Sequence, residues 1–310
     1  MKIVFMGTPE FAVPSLVKLT GEHDVVAVIT SVDKPAGRGK KIRSSAVKKA
    51  AIELGIPVLQ PTNLKNEDFI EELASFGADL FIVVAFRMLP ETVWSLPPKG
   101  TINLHGSLLP QYRGAAPINR AIMNGETVTG LTTFFINENI DTGAVIDTAE
   151  CEIGPNMNAG DLHDLMMEIG SDLLIRTVAS IESGTAKSIP QKSNESMKSA
   201  PKLFKEDCRI NWNNTAQNIH NHIRGLCPFP AAFSIVEGAD FSQIKIFESR
   251  ISDLPSNDQA GTIECSKSQL LVNTESYKLE ILSLQAPGKQ RMGVKDFLNG
   301  FKPNESLKFI

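Results

Sequence analysis

Apolar residues in the first half of the chain occur in short runs that lack polar alternation. Such runs are typical of strands that are buried on both faces, as in a parallel sheet. They lie at residues 3–6, 25–30, 80–85 and 102–104. Between them, apolar residues spaced three and four apart predict helices that cover a sheet, at residues 11–19, 46–54 and 69–73. The alternation predicts an α/β fold with a doubly wound parallel sheet.

The pattern changes after about residue 205. Residues 215–226 predict one helix, and short strands separated by turn residues follow it. The predicted strands are residues 233–236, 244–247, 261–264, 270–272 and 279–282. This spacing predicts a smaller antiparallel domain, either a barrel or a sandwich.

A polar, basic segment separates the two halves. Residues 184–204 read GTAKSIPQKSNESMKSAPKLF, without sustained periodicity, which predicts a linker. We therefore divide the chain into a first domain at 1–186, a basic linker at 187–205 and a second domain at 206–310. Three aromatic residues near this boundary, Phe204, Trp212 and Phe229, are expected in the core or at the domain junction, and not as platforms for stacking bases.

Composition narrows the class of protein. Of the 310 residues, 42% are hydrophobic and 21% are charged, as in an ordinary globular protein. The formal net charge of -4 means that a nucleic-acid partner would have to bind a local basic patch. The four cysteines form no CxxC pair, so we predict neither a zinc site nor a disulfide framework, and we expect a reducing cytoplasm. The sequence shows no export signal and no run of 18 apolar residues, so no membrane partner is expected.

The end of the first predicted strand disfavours a dinucleotide site. Residues 7–12 read GTPEFA, with a single glycine where a nicotinamide-binding fold would carry GxGxxG. The start of the following helix could still bind an anion.

Asn103 and His105 lie where the apolar run at 102–104 ends. Ligands of open parallel sheets bind beyond the carboxyl ends of the strands. A separation of two positions places both side chains on the same face. Each residue also has a structural explanation, because a histidine there is often only a hydrogen-bonded structural residue and an Asn before a turn often only caps its backbone.

A carboxylate follows downstream. Asp141 lies at the foot of a turn in the β-rich run GLTTFFINENIDTGAVI, although Asp-x-Gly by itself is a common turn sequence. An amide, an imidazole and a carboxylate together can supply what acyl transfer to an amine requires: stabilisation of an oxyanion and relay of a proton. No GxSxG motif or other obvious nucleophile is present, which favours direct transfer.

Residues 33–49 form a concentrated basic loop, DKPAGRGKKIRSSAVKK. The loop has one acid, Asp33, among seven basic residues. A solvated loop that aids solubility is one explanation. The alternative is RNA binding, because glycines on either side of Arg38 allow close approach and a guanidinium pairs with phosphate or a base edge. The candidate tRNA-binding residues are Arg38, Lys40, Lys41 and Arg43.

Several segments together resemble one enzyme family. The run NLHGSLLP at 103–110, then YRG at 112–114 and DTG at 141–143, resembles the 10-formyltetrahydrofolate-dependent formyltransferases. The segments GTPEFA, DKPAGRGKK, RGAAPI, KLFKEDCRINW, IRGLCPFPAAF and PGKQRM extend the resemblance to nearly the whole chain and match the members that act on methionyl-tRNA. The resemblance implies a Rossmann-like catalytic domain and a C-terminal β-barrel of the OB type.

The resemblance also implies residue roles. It makes Asn103, His105 and Asp141 catalytic, and Arg38 the key arginine of an inserted loop that enters the acceptor end of a tRNA. It places folate beside two segments, whose residues are Ser107, Leu108, Leu109, Pro110, Phe86, Arg87, Met88 and Leu89. The second segment, AFRMLP, departs from many members and is more similar to the Arg-containing folate loop of glycinamide ribonucleotide formyltransferases.

The implied reaction uses 10-formyltetrahydrofolate as co-substrate and no metal. Its formyl group passes to the α-amino group of methionine on initiator tRNA, for translation initiation. The family implies a monomer. Two alternatives remain at this point: a formyltransferase acting on a small amine, and an RNA-binding homologue without activity. The basic loop and the second domain argue against the first, and the three polar residues argue against the second.

Overall fold

The structure, a computed structural model, describes residues 1–36, 41–192, 196–300 and 307–310. Arg38 and Lys40, predicted to bind tRNA, lie outside the described residues. The chain divides into two compact units that each draw on separate segments. The sheet unit comprises Met1–Gly114, Thr129–Cys151 and His163–Ser199, and the barrel unit comprises Ala115–Val128, Glu152–Leu162 and Ala200–Ile310. The linear boundaries at residues 186 and 206 stay a prediction.

The elements are numbered in chain order. The strands are β1 (Lys2–Gly7), β2 (Asp24–Ile29), β3 (Lys34–Ala36), β4 (Lys41–Arg43), β5 (Val58–Leu59), β6 (Leu80–Val84), β7 (Thr101–His105), β8 (Arg113–Gly114), β9 (Val128–Phe135), β10 (Val145–Glu152), β11 (Ser199–Ala200), β12 (Ala232–Glu237), β13 (Gln243–Pro255), β14 (Ile263–Cys265), β15 (Leu270–Val272), β16 (Tyr277–Gln285), β17 (Met292–Gly293) and β18 (Lys308–Phe309). The helices are α1 (Val13–Glu22), α2 (Ala46–Glu53), α3 (Glu67–Ser75), α4 (Glu91–Trp94), α5 (Pro117–Met123), α6 (Ala159–Glu182), α7 (Ala216–Leu226) and α8 (Val294–Gly300), with 3-10 turns at Glu10–Ala12 and Glu206–Cys208.

The sheet unit is built on a seven-stranded sheet. Its strand order is β10-β9-β7-β6-β1-β2-β5. The five strands β5, β2, β1, β6 and β7 run parallel. The unalternated apolar runs predicted four of them, and the two-residue β5 was not predicted. β9 is antiparallel to β7, so the sheet is mixed at that side, which the apolar runs did not predict. The predicted α/β class is confirmed.

Burial on both faces explains the sequence of these strands. In β1, Ile3 and Phe5 point to one face and Val4 and Met6 to the other, and all four are fully buried. Helix α3 covers one face with Phe69 and packs in the same cluster as Val4 and Met6. Fully burying each such side chain contributes about 1.5–3 kcal/mol.

The barrel unit settles the choice between barrel and sandwich. Its sheet has the order β14-β15-β16-β13-β12-β18, with β17 paired to β16. A bridge between Thr262 and Lys308 joins the two ends of this path, which makes a nearly closed barrel. α7 begins where predicted, because the Thr215 side chain accepts a hydrogen bond from Asn218 N at 3.2 Å and caps the helix. Its Ile219, Ile223 and Leu226 join the barrel core.

Two residues of the predicted linker contact the sheet unit. Ile189 forms a backbone bridge with Val145, and the Gln191 side chain is hydrogen-bonded in the same unit. No helix within the described residues is long and apolar enough to span a membrane.

Candidate active site

His105 is the last residue of β7, at the carboxyl edge of the parallel strands. Its side chain is buried, and Nε2 lies 2.9 Å from the backbone oxygen of Tyr112. A carbonyl oxygen only accepts, so this geometry assigns the proton to Nε2. The other ring nitrogen, Nδ1, lies 3.7 Å from Oδ2 of Asp141. The structure therefore brings together the predicted imidazole and carboxylate, which are 36 residues apart in sequence.

Asp141 is held in place through its backbone and its side chain. It has a positive φ of 54°, a left-handed conformation that Asp tolerates better than most residues. Its Oδ2 accepts a hydrogen bond from the Gly114 backbone N–H at 2.9 Å. One carboxylate oxygen thus faces both a fixed N–H donor and the His105 ring.

Gln191 fastens the turn that carries Asp141. Its Nε2 donates to the backbone oxygens of Asp141, at 3.0 Å, and Gly143, at 2.8 Å. Its Oε1 accepts from Arg113 Nε at 3.1 Å and Nη2 at 2.6 Å. Sequence reasoning missed this residue, because a glutamine within a polar linker carries no distinguishing signal.

Asn103 lies two positions before His105 on β7, beside Phe134 of β9. The strand alternation places Asn103 and His105 on one face, while Ile102 and Leu104 are buried on the other. Asn103 is half-buried, and within the described part of the chain its carboxamide has no hydrogen-bond partner. Its N–H donors are therefore available to a ligand.

The turn after His105 is internally bonded. Ser107 is fully buried, and its hydroxyl donates to Gln111 O at 2.6 Å. Thr132 Oγ1 donates to Ser107 O at 2.7 Å and accepts from Leu109 N at 3.0 Å. Ser107 thus shapes the turn, while Leu108, Leu109 and Pro110 are half-buried. Folate binding by this segment stays a prediction.

The segment after β6 is the second predicted folate element. Ala85 turns the chain with a φ of 49°, Leu89 is buried, and Met88 is 70% exposed. Arg87 donates to the backbone oxygens of Pro61, at 2.5 Å, and Thr62, at 3.1 Å, and its guanidinium lies 5.8 Å from the Phe86 ring centroid. Arg87 therefore ties this segment to the chain after β5.

Part of the basic loop is already engaged within the protein. β3 pairs with β4 as a hairpin, and Arg43 at its end is exposed. Lys48 donates to Asp33 Oδ2 and to Gln60 Oε1, each at 2.7 Å. The hydrogen bond from Lys48 lowers the pKa of the Asp33 carboxyl. Lys48 is thus paired and does not add to the free positive charge of the loop.

Two of the three aromatic residues near the predicted boundary are exposed, contrary to our prediction. Trp212 is buried in the barrel unit, where Nε1 donates to Ser234 Oγ at 2.9 Å and the ring stacks on Phe309. Phe204 is 59% exposed and Phe229 is 82% exposed. A hydrophobic pattern does not reveal that neighbouring backbone bonds turn a ring outward.

Among the described residues, no group of three His, Cys, Asp or Glu side chains could hold a metal ion.

Comparison with known proteins places this chain in a family. The family described as formyl transferase matches residues 1–178, and the formyl transferase C-terminal domain matches residues 202–302. A methionyl-tRNA formyltransferase from Flavobacterium johnsoniae is 49% identical over 310 residues, covering 99% of this chain and 98% of the relative. One from Bacteroides fragilis is 47% identical over 315 residues, covering 99% and 97%.

Solved structures share the fold at lower identity. An N-formyltransferase from Helicobacter canadensis, solved with folinic acid and dTDP-3-aminofucose, has a TM-score of 0.66 at 22% identity and covers 91% of this chain and 98% of its own. A sugar 3-N-formyltransferase solved with dTDP and 5-N-formyl-tetrahydrofolate has a TM-score of 0.67 at 21% identity and covers 94% and 99%. The chain belongs to the formyl transferase family and groups with its methionyl-tRNA formyltransferases.

Proposed function

We propose that this protein transfers the formyl group of 10-formyltetrahydrofolate to the α-amino group of methionine carried on initiator tRNA. The observation that carries the proposal is the cluster at the end of β7, where the His105 ring faces the Asp141 carboxylate at 3.7 Å and the Asn103 amide is unpaired among the described residues. The near full-length similarity to methionyl-tRNA formyltransferases supports the choice of acceptor.

The reaction proceeds by direct attack. The neutral amine forms a bond to the formyl carbon, and the formyl oxygen takes negative charge in the tetrahedral intermediate. Asn103 donates an N–H to this oxyanion. The Nε2 proton of His105, which points at Tyr112 O in this structure, turns to the same oxygen when substrate is bound.

Collapse of the intermediate breaks the bond between carbon and N10 of the folate. The proton lost by the attacking amine passes to N10, so tetrahydrofolate leaves as a neutral amine. Asp141, the carboxylate beside His105, serves this transfer, and it keeps the imidazole oriented by accepting from Nδ1–H when the ring takes up a second proton during the reaction. The fixed donor Gly114 N–H holds the carboxylate for both tasks.

Folate binds, in this proposal, between the two segments already described. Residues 107–110 contribute the half-buried apolar surface of Leu108, Leu109 and Pro110, and residues 86–89 contribute Phe86 and the exposed Met88. Arg87, the residue at which this segment departs from many family members, donates hydrogen bonds to the backbone oxygens of Pro61 and Thr62 and so shapes the second segment.

The tRNA is bound by the basic hairpin, through Arg43 and Lys41 of β4 together with Arg38 and Lys40. Each phosphate contact contributes about 0.7–0.9 to the slope of log affinity against log salt.

We further propose the domain boundaries 1–186, 187–205 and 206–310, a cytoplasmic location and a monomeric state. Limited proteolysis and light scattering test the boundaries and the monomer.

The first experiment is transfer of radiolabelled formyl from 10-formyltetrahydrofolate to charged initiator tRNA, with charged elongator tRNA as control. We expect label on the initiator alone. Absence of transfer to both tRNAs, with folate binding retained, would overturn the choice of acceptor and redirect the search to small amines.

A further inference from the structure

Phe204 exposes 59% of its surface in the barrel unit. Burial of a phenylalanine is strongly favourable, so an exposed ring forgoes a large stabilisation. The side chain of the preceding Leu203 packs against the barrel core, so the side chains of Leu203 and Phe204 point inward and outward respectively. Residues 202–205, KLFK, are called the KLFK segment below.

Hydrogen bonds hold the backbone of Phe204 on both sides. Its N–H donates to Asp207 Oδ2 at 2.8 Å, and its carbonyl oxygen accepts from Cys208 Sγ at 3.3 Å. Asp207 is in turn paired with Arg120 Nη2 at 3.3 Å. The Phe204 N–H, followed by Arg120, lowers the pKa of the Asp207 carboxyl, which keeps this anchor ionised. The ring is therefore presented from a fixed backbone.

Two lysines flank Phe204 in the sequence. The Lys202 ammonium lies 5.7 Å from the ring centroid, within the range of a cation–π contact. Lys205, the next residue in the chain, is exposed, and neither lysine forms an ion pair among the residues that the structure describes. The nearby acids are Asp207, already paired, and the exposed Glu206. The segment thus presents an exposed apolar ring whose two neighbouring lysines in the KLFK sequence carry no ion pair among the described residues.

We propose that the KLFK segment binds an unpaired nucleotide of the RNA substrate, with the base stacked on Phe204 and the flanking phosphates paired with Lys202 and Lys205. Every base has a π-face, and aromatic side chains beside basic ones are the common means of binding single-stranded nucleic acid. This inference rests on the proposed function, because it takes tRNA as the substrate.

Charge and size favour RNA over other occupants. Two lysines that flank Phe204 in the sequence complement phosphates on either side of a base. A stable protein partner would need roughly 800 Å² of complementary surface on each side, far more than one ring provides.

The test uses the full-length chain and four variants: Phe204→Leu, Phe204→Trp, Lys202→Gln and Tyr277→Leu. Tyr277 is the matched control, since it is 50% exposed and its neighbour Lys278 is already paired with Glu264. The measurements are the Kd for initiator tRNA over a series of salt concentrations, and the formylation rate of each protein.

We expect Phe204→Leu to weaken binding about tenfold with an unchanged salt slope, because it removes stacking and no phosphate contact. Phe204→Trp should restore the wild-type Kd. Lys202→Gln should lower the magnitude of the slope by about 0.7–0.9, the value of one phosphate contact. Tyr277→Leu should bind as the wild type does.

Three results would overturn the inference: an unchanged Kd for Phe204→Leu, failure of Phe204→Trp to restore binding, or equal weakening by Tyr277→Leu. The Phe204 ring lies outside the barrel core, and equal melting temperatures of the variants check that each protein folds. If wild-type protein formylates initiator tRNA while Phe204→Leu binds normally, only the inference fails. If the wild type formylates no tRNA, the proposed function fails first.

Discussion

At the scale of single residues, the candidate site depends on backbone groups as much as on the three predicted side chains. His105 and Asp141 are oriented by Tyr112 O and Gly114 N–H, at 2.9 Å each. Asn103 has no such restraint among the described residues. The three side chains should therefore respond differently to substitution.

Asn103→Ala should lower kcat about 10²–10³-fold, the usual cost of one oxyanion donor. His105→Ala, which removes a donor to the oxyanion, and Asp141→Ala, which removes the carboxylate that serves proton transfer, should each lower it about 10²–10⁴-fold. Tight binding of tRNA should persist in all three. Arg38→Ala is the control, with a raised KM for tRNA and kcat retained. Steady-state kinetics with both substrates measure these effects, and equal kcat in all four variants would contradict the roles.

Gln191→Glu tests whether the hydrogen bonds from Gln191 hold the turn that carries Asp141. The carboxylate keeps an acceptor for Arg113 but loses the N–H donors to the carbonyls of Asp141 and Gly143. An unsatisfied carbonyl costs about 1–3 kcal/mol, which should displace Asp141 and lower kcat at least tenfold with little change in the KM for tRNA. Gln191→Ala, which loses the Arg113 contact as well, is the comparison. Wild-type kcat in Gln191→Glu would show that the turn needs no such support.

At the scale of elements, the hairpin of β9 and β10 decides where Asp141 lies. Its close packing requires small residues, since a Cβ on Gly143 would lie 1.6 Å from Phe135 O. The apolar runs predicted the parallel strands, because burial on both faces leaves a distinctive sequence. They did not reveal the antiparallel direction of β9, because direction is set by the turn and by pairing with β7.

Gly143→Ala should force the hairpin apart and cost about 1–3 kcal/mol of stability, with loss of activity as Asp141 moves away from His105. Gly21→Ala in α1 is the control, because nothing lies within 4 Å of its added Cβ and alanine favours a helix. Urea unfolding and the formylation rate of each variant measure the effect. Equal stability and activity of the two variants would disprove the steric argument.

At the scale of the whole molecule, two histidines of the barrel unit make stability depend on pH. His220 and His222 of the barrel unit are the histidines for which burial lowers the pKa below its usual value. A histidine that is buried in its neutral form binds fewer protons when folded than when unfolded. Its contribution to stability is therefore present above pH 6.5, the unfolded value, and is lost as the pH falls below it.

The free energy of unfolding should accordingly decrease below about pH 6.5, by up to about 1.4 kcal/mol per pH unit for each histidine. His222→Gln should reduce the slope of the unfolding free energy against pH by up to about 1.4 kcal/mol per pH unit, the contribution of one histidine. Urea unfolding between pH 5 and 8 measures the slope, and an unaltered slope in His222→Gln would contradict the assignment.

The sequence by itself determined the class of fold, the parallel strands and the place of His105 at a strand end, because these follow from local patterns of burial. It also determined the family, since each motif is a contiguous run of residues that can be recognised without the fold. Only the tertiary structure decided that Asp141 faces His105, that Gln191 holds the turn and that Phe204 points outward. These features depend on contacts between residues distant in sequence, or on single backbone hydrogen bonds, and neither leaves a periodic signal in the chain.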